Sequence, residues 1–215
     1  MYSSKGLFIT FEGGEGTGKT TQIELLKSYF EQLKSKVIIT REPGGTPLAE
    51  SLRALALKGE KIPDPLTELL LFTAARRDHI ISLIKPHLST GYHVICDRFV
   101  DSSLVFQGYC TKLGIDYILN LHKHIVQNFM PNVTFIFDLD PEIAKQRLQS
   151  RLQLNHYDQA SIDWYRMVRA GYLELFNNYN SDKRLILIDA NQSIDIVHHH
   201  IKASIEKILI GNKNT

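Results

Sequence analysis

What the chain has little of narrows the field first. It carries two cysteines in 215 residues, Cys96 and Cys110. That is too few for a disulfide framework, and their spacing fits no zinc ribbon. Cys96 sits in the apolar run Val94-Ile95-Cys96, where a thiol serves as a small buried hydrophobe. Charge of one sign is also scarce: 25 Lys and Arg against 23 Asp and Glu leave a formal net charge of +2. Nucleic-acid-binding domains carry a strong basic excess, so no nucleic-acid partner is expected. Any phosphate chemistry must then come from cations placed locally. No apolar run approaches the ~18 residues of a membrane span, so no membrane partner is expected either. Leu7 to Phe11 is too short for the apolar region of a secretion signal, and a cytoplasmic chain is the expectation. Linkers, low-complexity tracts and internal repeats are missing, so 1–215 reads as a single domain with one well-buried core.

What is present is an alternation. Short apolar runs at Leu7–Glu12, Lys36–Thr40, Tyr92–Asp97, Val133–Leu139 and Arg184–Asp189 read as strands. Amphipathic stretches at about 18–34, 46–57, 64–89, 114–129, 141–152, 158–180 and 193–210 read as helices. The alternation predicts an α/β fold: a five-stranded parallel sheet flanked by helices. The strand runs end in Glu12, Thr40-Arg41, Asp97-Arg98, Asp138 and Asp140, and Asp189. Ligands of such sheets bind outside the carboxyl ends of the strands, so chemistry is expected there. The triplet His198-His199-His200 falls within the last helical stretch. Three consecutive helical side chains point in three directions and do not share an ion.

Gly13-Gly14-Glu15-Gly16-Thr17-Gly18-Lys19-Thr20 matches G-x-x-x-x-G-K-S/T in full, with a strand before it and an amphipathic helix after it. Its glycines let backbone N–H groups wrap phosphates, and the helix N-terminus adds a favourable dipole. These eight residues are the expected ATP cradle, with Lys19 reaching the β- and γ-phosphates and Thr20 ligating Mg²⁺. The motif sets the fold as that of the P-loop NTPases. It does not by itself say what the nucleotide is used for.

Switch GTPases carry D-x-x-G and N-K-x-D, and neither occurs in this chain. A small-molecule kinase instead needs cations aimed at a second phosphate, because two mutually repelling anions must be held in line. Arg41, Arg76-Arg77 and Arg98 are available, as are Arg147 and Arg151, whose i, i+4 spacing puts them on one helix face. Phe72 and Arg76 share the same spacing, which suits an aromatic ring and a guanidinium framing a flat base. Asp97 is one of several strand-end aspartates, and position alone leaves its metal role open. Another monophosphate kinase and a non-catalytic ATP-binding regulator remain alternatives at this level.

Four segments in this order, F-E-G-G-E-G-T-G-K-T-T-Q (11–22), T-R-E-P-G-G-T (40–46), L-L-F-T-A-A-R (70–76) and C-D-R-F-V-D-S-S (96–103), resemble the thymidylate kinase family in its bacterial form. The resemblance runs from Phe8 to about Ile201. It implies a nucleoside monophosphate kinase-like fold and Mg²⁺-dependent transfer from ATP to dTMP in dTTP biosynthesis. By the same resemblance, Glu15 faces the deoxyribose 3′-hydroxyl, while Arg41 and Arg98 grip the acceptor phosphate. Asp97 helps organise Mg²⁺, Phe72 stacks on thymine, and Arg76 bonds its edge. Ser103 and Gln107 contact the base, and the turn Ala190-Asn191-Gln192 holds adenine.

Two departures stand out. Gly16 occupies the P-loop position where the other type of the family has arginine, so cations on a short lid at about 147–160 must serve. Within it the family's D-R-F/I/L-E appears as Asn155-His156-Tyr157-Asp158, which places histidine where arginine is usual. Arg151, with Arg147, is therefore the expected lid cation. Phe106 replaces a tyrosine frequent near the sugar 2′ position, implying weaker rejection of ribonucleotides. The apolar residues Leu69, Leu71, Ile80 and Leu83 exceed what one buried face needs and fit either a subunit contact or ordinary core packing; the family is commonly homodimeric, so the resemblance implies a dimer.

Overall fold

The computed structural model describes residues 6–58, 64–149 and 161–211. Five strands, β1 (Phe8–Gly13), β2 (Val37–Arg41), β3 (His93–Asp97), β4 (Val133–Asp138) and β5 (Leu185–Asp189), form one parallel sheet. Its order is β2-β3-β1-β4-β5, so β1 lies at the centre and both chain directions wind outward from it. Every residue of β1 is buried, as a strand covered on both faces requires.

Among the described residues the helices are α1 (Lys19–Gln32), α2 (Pro47–Lys58), α3 (Pro65–His79), α4 (Lys85–Ser89), α5 (Val100–Ser103), α6 (Ile115–Val126), α7 (Pro141–Gln149), α8 (Ile162–Asn178) and α9 (Ile194–Gly211). A π-helical turn at Ile80–Ile84 joins α3 to α4, so the continuous helix expected over 64–89 is present with one wide turn inside it. Asp64 starts it, its carboxylate accepting from the Leu66 and Thr67 N–H groups ahead of Pro65 at the first position. A second π turn, Leu104–Tyr109, extends α5. No helix was expected over 100–109, because its polar residues Asp101, Ser102, Ser103 and Gln107 break the apolar period there.

Strand side chains alternate between two cores. Ile9 and Phe11 pack with Leu26, Phe30, Ile95, Phe135 and Ile201 on the α1–α9 side. Phe8 packs with Val94, Phe99, Ile136, Val105 and Tyr172 on the side of α5, α6 and α8. The same alternation sends Glu12 to the second side, beneath α5 and α8. Of the residues that fitted either a subunit contact or core packing, Leu69 and Ile80 are fully buried in that second core. Leu83 packs against it as well. The exposed positions lie one residue along, at Leu70 and Ile81, since each helical step turns the side chain by about 100°.

Candidate active site

The phosphate cradle joins β1 to α1. Gly13 (φ +137) and Gly16 (φ +74) hold backbone conformations that L side chains rarely adopt. A Cβ at Gly13 would lie 2.8 Å from the Phe137 carbonyl oxygen, and one at Gly16 2.7 Å from that of Ala144. Residue 16 therefore has no room for the arginine found there in the other type of the family. A guanidinium reaches the spot from elsewhere: Arg147 Nη1 donates to the Gly16 carbonyl at 3.4 Å. No side chain caps the first turn of α1, which leaves its N–H groups and the positive end of its dipole for an anion.

Lys19 is buried with its ammonium inside the cradle, donating to the Gly14 carbonyl at 2.8 Å, the Gly13 carbonyl at 3.2 Å and Thr17 Oγ1 at 3.3 Å. Burial, then the positive Arg98, pull its pKa down to about 8. Thr20 is exposed on the first turn of α1. Asp97 ends β3, and its Oδ1 is buried without a hydrogen-bond partner.

Arg98 follows directly, with a left-handed backbone (φ +69) that is unusual for a non-glycine residue. Its Nη2 donates to Glu15 Oε1 at 2.7 Å, and its Nη1 to the Gly13 carbonyl at 2.9 Å. Burial works against its charge, but Glu15, Tyr172, Asp97 and Glu12 outweigh it and hold the pKa above its ordinary value. The cation is thus fixed beside the P-loop.

One cavity of about 270 Å³ opens from this point. Its end beside the P-loop is lined by Glu15, Arg41, Asp97 and Arg98, and its far end by Phe72, Arg76, Ser103 and Gln107. These eight residues, assigned from sequence to the acceptor and its metal, line it together; Thr20, the other residue expected to ligate the metal, does not. Phe106 lines it too, with the Arg98 guanidinium 5.3 Å from its ring centroid. At the far end Arg76 is buried and fixed, Nε to Glu42 Oε2 at 2.7 Å and Nη2 to Ser103 Oγ at 2.9 Å and the Phe99 carbonyl at 3.1 Å. Gln107 Nε2 donates to Glu68 Oε2 at 2.7 Å, which turns the amide oxygen away from that carboxylate.

Sequence reasoning missed several residues here. Arg53 on α2 lines the cavity beside Arg41 and donates to the Pro43 carbonyl at 2.8 Å. Arg41 itself is bonded to Glu50 Oε1 at 2.8 Å. The Gly45 N–H above all, then Arg41 and Arg53, hold Glu50 below the usual carboxylate range. Arg53 had carried no stronger signal than being the one arginine among the alanines and leucines of α2. Glu42, which anchors both Arg76 and His79, and Glu68 were also missed, as side chains that act through others.

A second cavity, about 380 Å³, lies on the other side of the cradle between Gly16, Gly18, Gln22, Arg147, Gln192 and Val197. It is where a nucleoside attached to the cradle's phosphates would extend. Ala190 and Gln192 line it, whereas Asn191 between them does not, its amide donating to Asp189 Oδ1 at 2.8 Å. Arg151 and His156 lie outside the described residues. Among the described residues no group of three or more His, Cys, Asp or Glu side chains could hold a metal, and no helix is long and apolar enough to cross a membrane.

Comparison with known proteins gives a single answer. The family model for thymidylate kinase matches residues 11–201. A thymidylate kinase of Bacillus cereus is 39% identical over 209 residues, covering 96% of this chain and 100% of the relative. One of Bacillus thuringiensis is 38% identical with the same coverage. Among solved structures, thymidylate kinase from Ehrlichia chaffeensis matches with a TM-score of 0.76 at 35% identity, over 94% of this chain and 99% of that one.

Proposed function

The chain belongs to the thymidylate kinase family, and from this premise we propose that it transfers the γ-phosphoryl group of ATP to dTMP, giving dTDP and ADP for dTTP synthesis. The observation that carries the reading is that one cavity beside the P-loop is lined both by Arg41 and Arg98 and by Phe72, Arg76 and Gln107. A nucleoside offers no phosphate to grip, so the paired arginines favour a monophosphate acceptor. An ATP-binding regulator has no need of that cavity.

An oxygen of the acceptor phosphate attacks the γ-phosphorus, and the bond to the β–γ bridging oxygen breaks, so no protein nucleophile is needed. The protein contributes position and charge. Lys19 meets the β- and γ-phosphates, and Arg98 holds the acceptor in line while balancing charge on the transferring group. Glu15, bonded to Arg98, is the candidate partner of the sugar 3′-hydroxyl. Arg147, already over Gly16, is a donor-side cation, and Arg151 joins it on a lid at about 147–160 on the strength of the sequence alone.

A Mg²⁺ ion fits the residues present. The partnerless Asp97 Oδ1 and the exposed Thr20 hydroxyl are the oxygens that would hold it, phosphates and water supplying the rest. When bound, it would neutralise charge on the β- and γ-phosphates. A cytoplasmic location and a homodimer complete the proposal. The dimer is supported by exposed Leu48, Leu70, Ile81 and Ile125 around one groove on α2, the α3 region and α6; its solution mass tests it.

The decisive experiment is ADP release with ATP and Mg²⁺ against dTMP, dUMP, UMP, CMP, AMP and no acceptor. A strong preference for dTMP is the expected result. Good turnover of another acceptor would overturn the pocket assignments, and ATP binding without any turnover would leave a regulator.

A further inference from the structure

Arg98 holds a backbone conformation that persists only where its surroundings over-determine it. Those surroundings centre on Glu12, a fully buried carboxylate that none of the steps above uses. Glu12 Oε1 accepts from the Phe99 N–H at 2.7 Å and the Ser102 N–H at 3.2 Å, pinning the turn just after Arg98. Glu12 Oε2 accepts from Ser102 Oγ at 2.6 Å and the Tyr172 hydroxyl at 2.9 Å. The same two hydroxyls face Arg98 Nη1, at 3.2 Å from Ser102 and 3.3 Å from Tyr172.

The direction of these bonds is fixed by chemistry. A guanidinium only donates, so both hydroxyl oxygens accept from Arg98 and turn their own protons to Glu12. We infer that Glu12 and Tyr172 are positioning residues for Arg98: the Tyr172 and Ser102 hydroxyls carry the hold of the Glu12 carboxylate to the guanidinium and fix where it meets the acceptor phosphate. Tyr172 reaches this point because α8 crosses the Leu104–Tyr109 turn closely at the preceding Gly171. A Cβ there would come within 2.9 Å of Val105 and 3.0 Å of Tyr109.

The relay needs an ionised Glu12, because a carboxyl proton on Oε2 would have to be accepted by a hydroxyl already facing Arg98. The charged and titratable groups around it are Arg98, Asp101 on α5, Tyr172 on α8, Lys19 on α1, Cys96 on β3, and Arg184 just before β5, paired with Asp101. Burial first, then Asp101, raise the Glu12 pKa to about 7 against the opposing pull of Arg98. The hold on Arg98 is therefore complete above that pH and weakens below it.

The inference deepens the functional reading and rests on it for the role of Arg98. It is tested with Tyr172→Phe, which keeps the ring and removes the hydroxyl, by measuring kcat and both KM values from about pH 6 to about 9. Expected are a kcat about tenfold lower, a KM for ATP changed by less than about twofold, and an acid limb moved to higher pH, since the carboxylate loses a donor. The acceptor phosphate titrates alike in both proteins, so the shift between them is what is read. A cooperatively melting Tyr172→Phe with the wild-type kcat and profile overturns the inference. Should that variant fail to melt cooperatively, Ser102→Ala breaks the other arm, and an unmoved kcat and limb there overturn it equally. A crystal structure of Tyr172→Phe reads the point without turnover: Arg98 must leave its place between Glu15 and the Gly13 carbonyl, and finding it unmoved sinks the idea. Failure of the wild type to phosphorylate dTMP would count against the functional reading alone.

Discussion

Arg184, the residue just before β5, grips Asp101 on α5 through two parallel hydrogen bonds, Nη2 to Oδ1 at 2.7 Å and Nη1 to Oδ2 at 2.8 Å. Both side chains are buried, and Nη1 also reaches Thr134 Oγ1 at 2.9 Å, which in turn meets Thr10 Oγ1 at 2.7 Å. The pair ties the edge strand to the helix that follows Arg98 across the face of the sheet. Removing one partner of such a pair strands a buried charge, which costs more than the pair contributes. Asp101→Ala should lose about 3–5 kcal/mol of stability in urea unfolding. Asp101→Asn keeps one acceptor oxygen and should lose less. A loss under about 1 kcal/mol in Asp101→Ala would mean that solvent reaches Arg184.

Lys19 gives a pH signature. Its pKa is lowered, so the ammonium is present below about 8 and is lost above it. kcat/KM for ATP reports the free enzyme and should fall as pH rises through that value. Bound phosphates favour the ammonium, so kcat should hold to higher pH. Lys19→Ala should cut kcat by about 10²–10³-fold and abolish the alkaline limb of kcat/KM, with the fold intact by circular dichroism. An unchanged rate in that variant would refute the role of Lys19.

The fold was legible because period is a long-range property of the sequence. Runs such as Phe8–Phe11 and Val133–Phe137 admit little but a buried strand, and the P-loop fixes where the first strand turns into a helix. The cavity-lining residues were legible for a different reason: Arg41, Phe72, Arg76 and Arg98 lie in the segments that carry the family resemblance. Helix α5 and its π turn were not legible, since hydroxyls and Gln107 face a cavity there and erase the apolar stripe. Glu12 reads as an ordinary strand-end residue, and only the crossing of α8 at Gly171 shows what its carboxylate holds. Leu69 and Ile80 show the limit of pattern reading, because one helical step separates a core side chain from an exposed one.

Glu68 sets the orientation of the Gln107 amide. A carboxylate offers only acceptors, so the amide nitrogen faces Glu68 and the amide oxygen is left for the cavity. Thymine presents an N3–H donor between two carbonyl acceptors, so on the proposed reading the Gln107 amide oxygen would accept from N3–H and Arg76 would donate to a carbonyl. Glu68→Leu frees the amide to turn, and kcat/KM for dTMP should fall about tenfold through KM, with the KM for ATP unchanged. The same KM for dTMP in both proteins would remove Glu68 from base recognition.

Phe106 is the residue that the family resemblance places near the sugar. It is buried on the cavity wall, near the Arg98 guanidinium on one side, with its ring 6.3 Å from Trp164 and 6.5 Å from Tyr172. These neighbours hold the ring in place, so it offers bulk against a ribose at a fixed distance. A phenyl ring has no hydroxyl with which to contest a 2′-hydroxyl, and discrimination by bulk alone is weak, about 10–200-fold per methylene-sized difference. UMP should therefore turn over measurably beside dUMP. Phe106→Tyr adds an oxygen at the ring's edge and should lower the UMP rate relative to dUMP by about tenfold, leaving dTMP within about twofold. Competition assays with matched dUMP and UMP read this ratio without correction for enzyme concentration. Undetectable UMP turnover in the wild type, beside ready turnover of dUMP, would sink the prediction of weak ribonucleotide rejection.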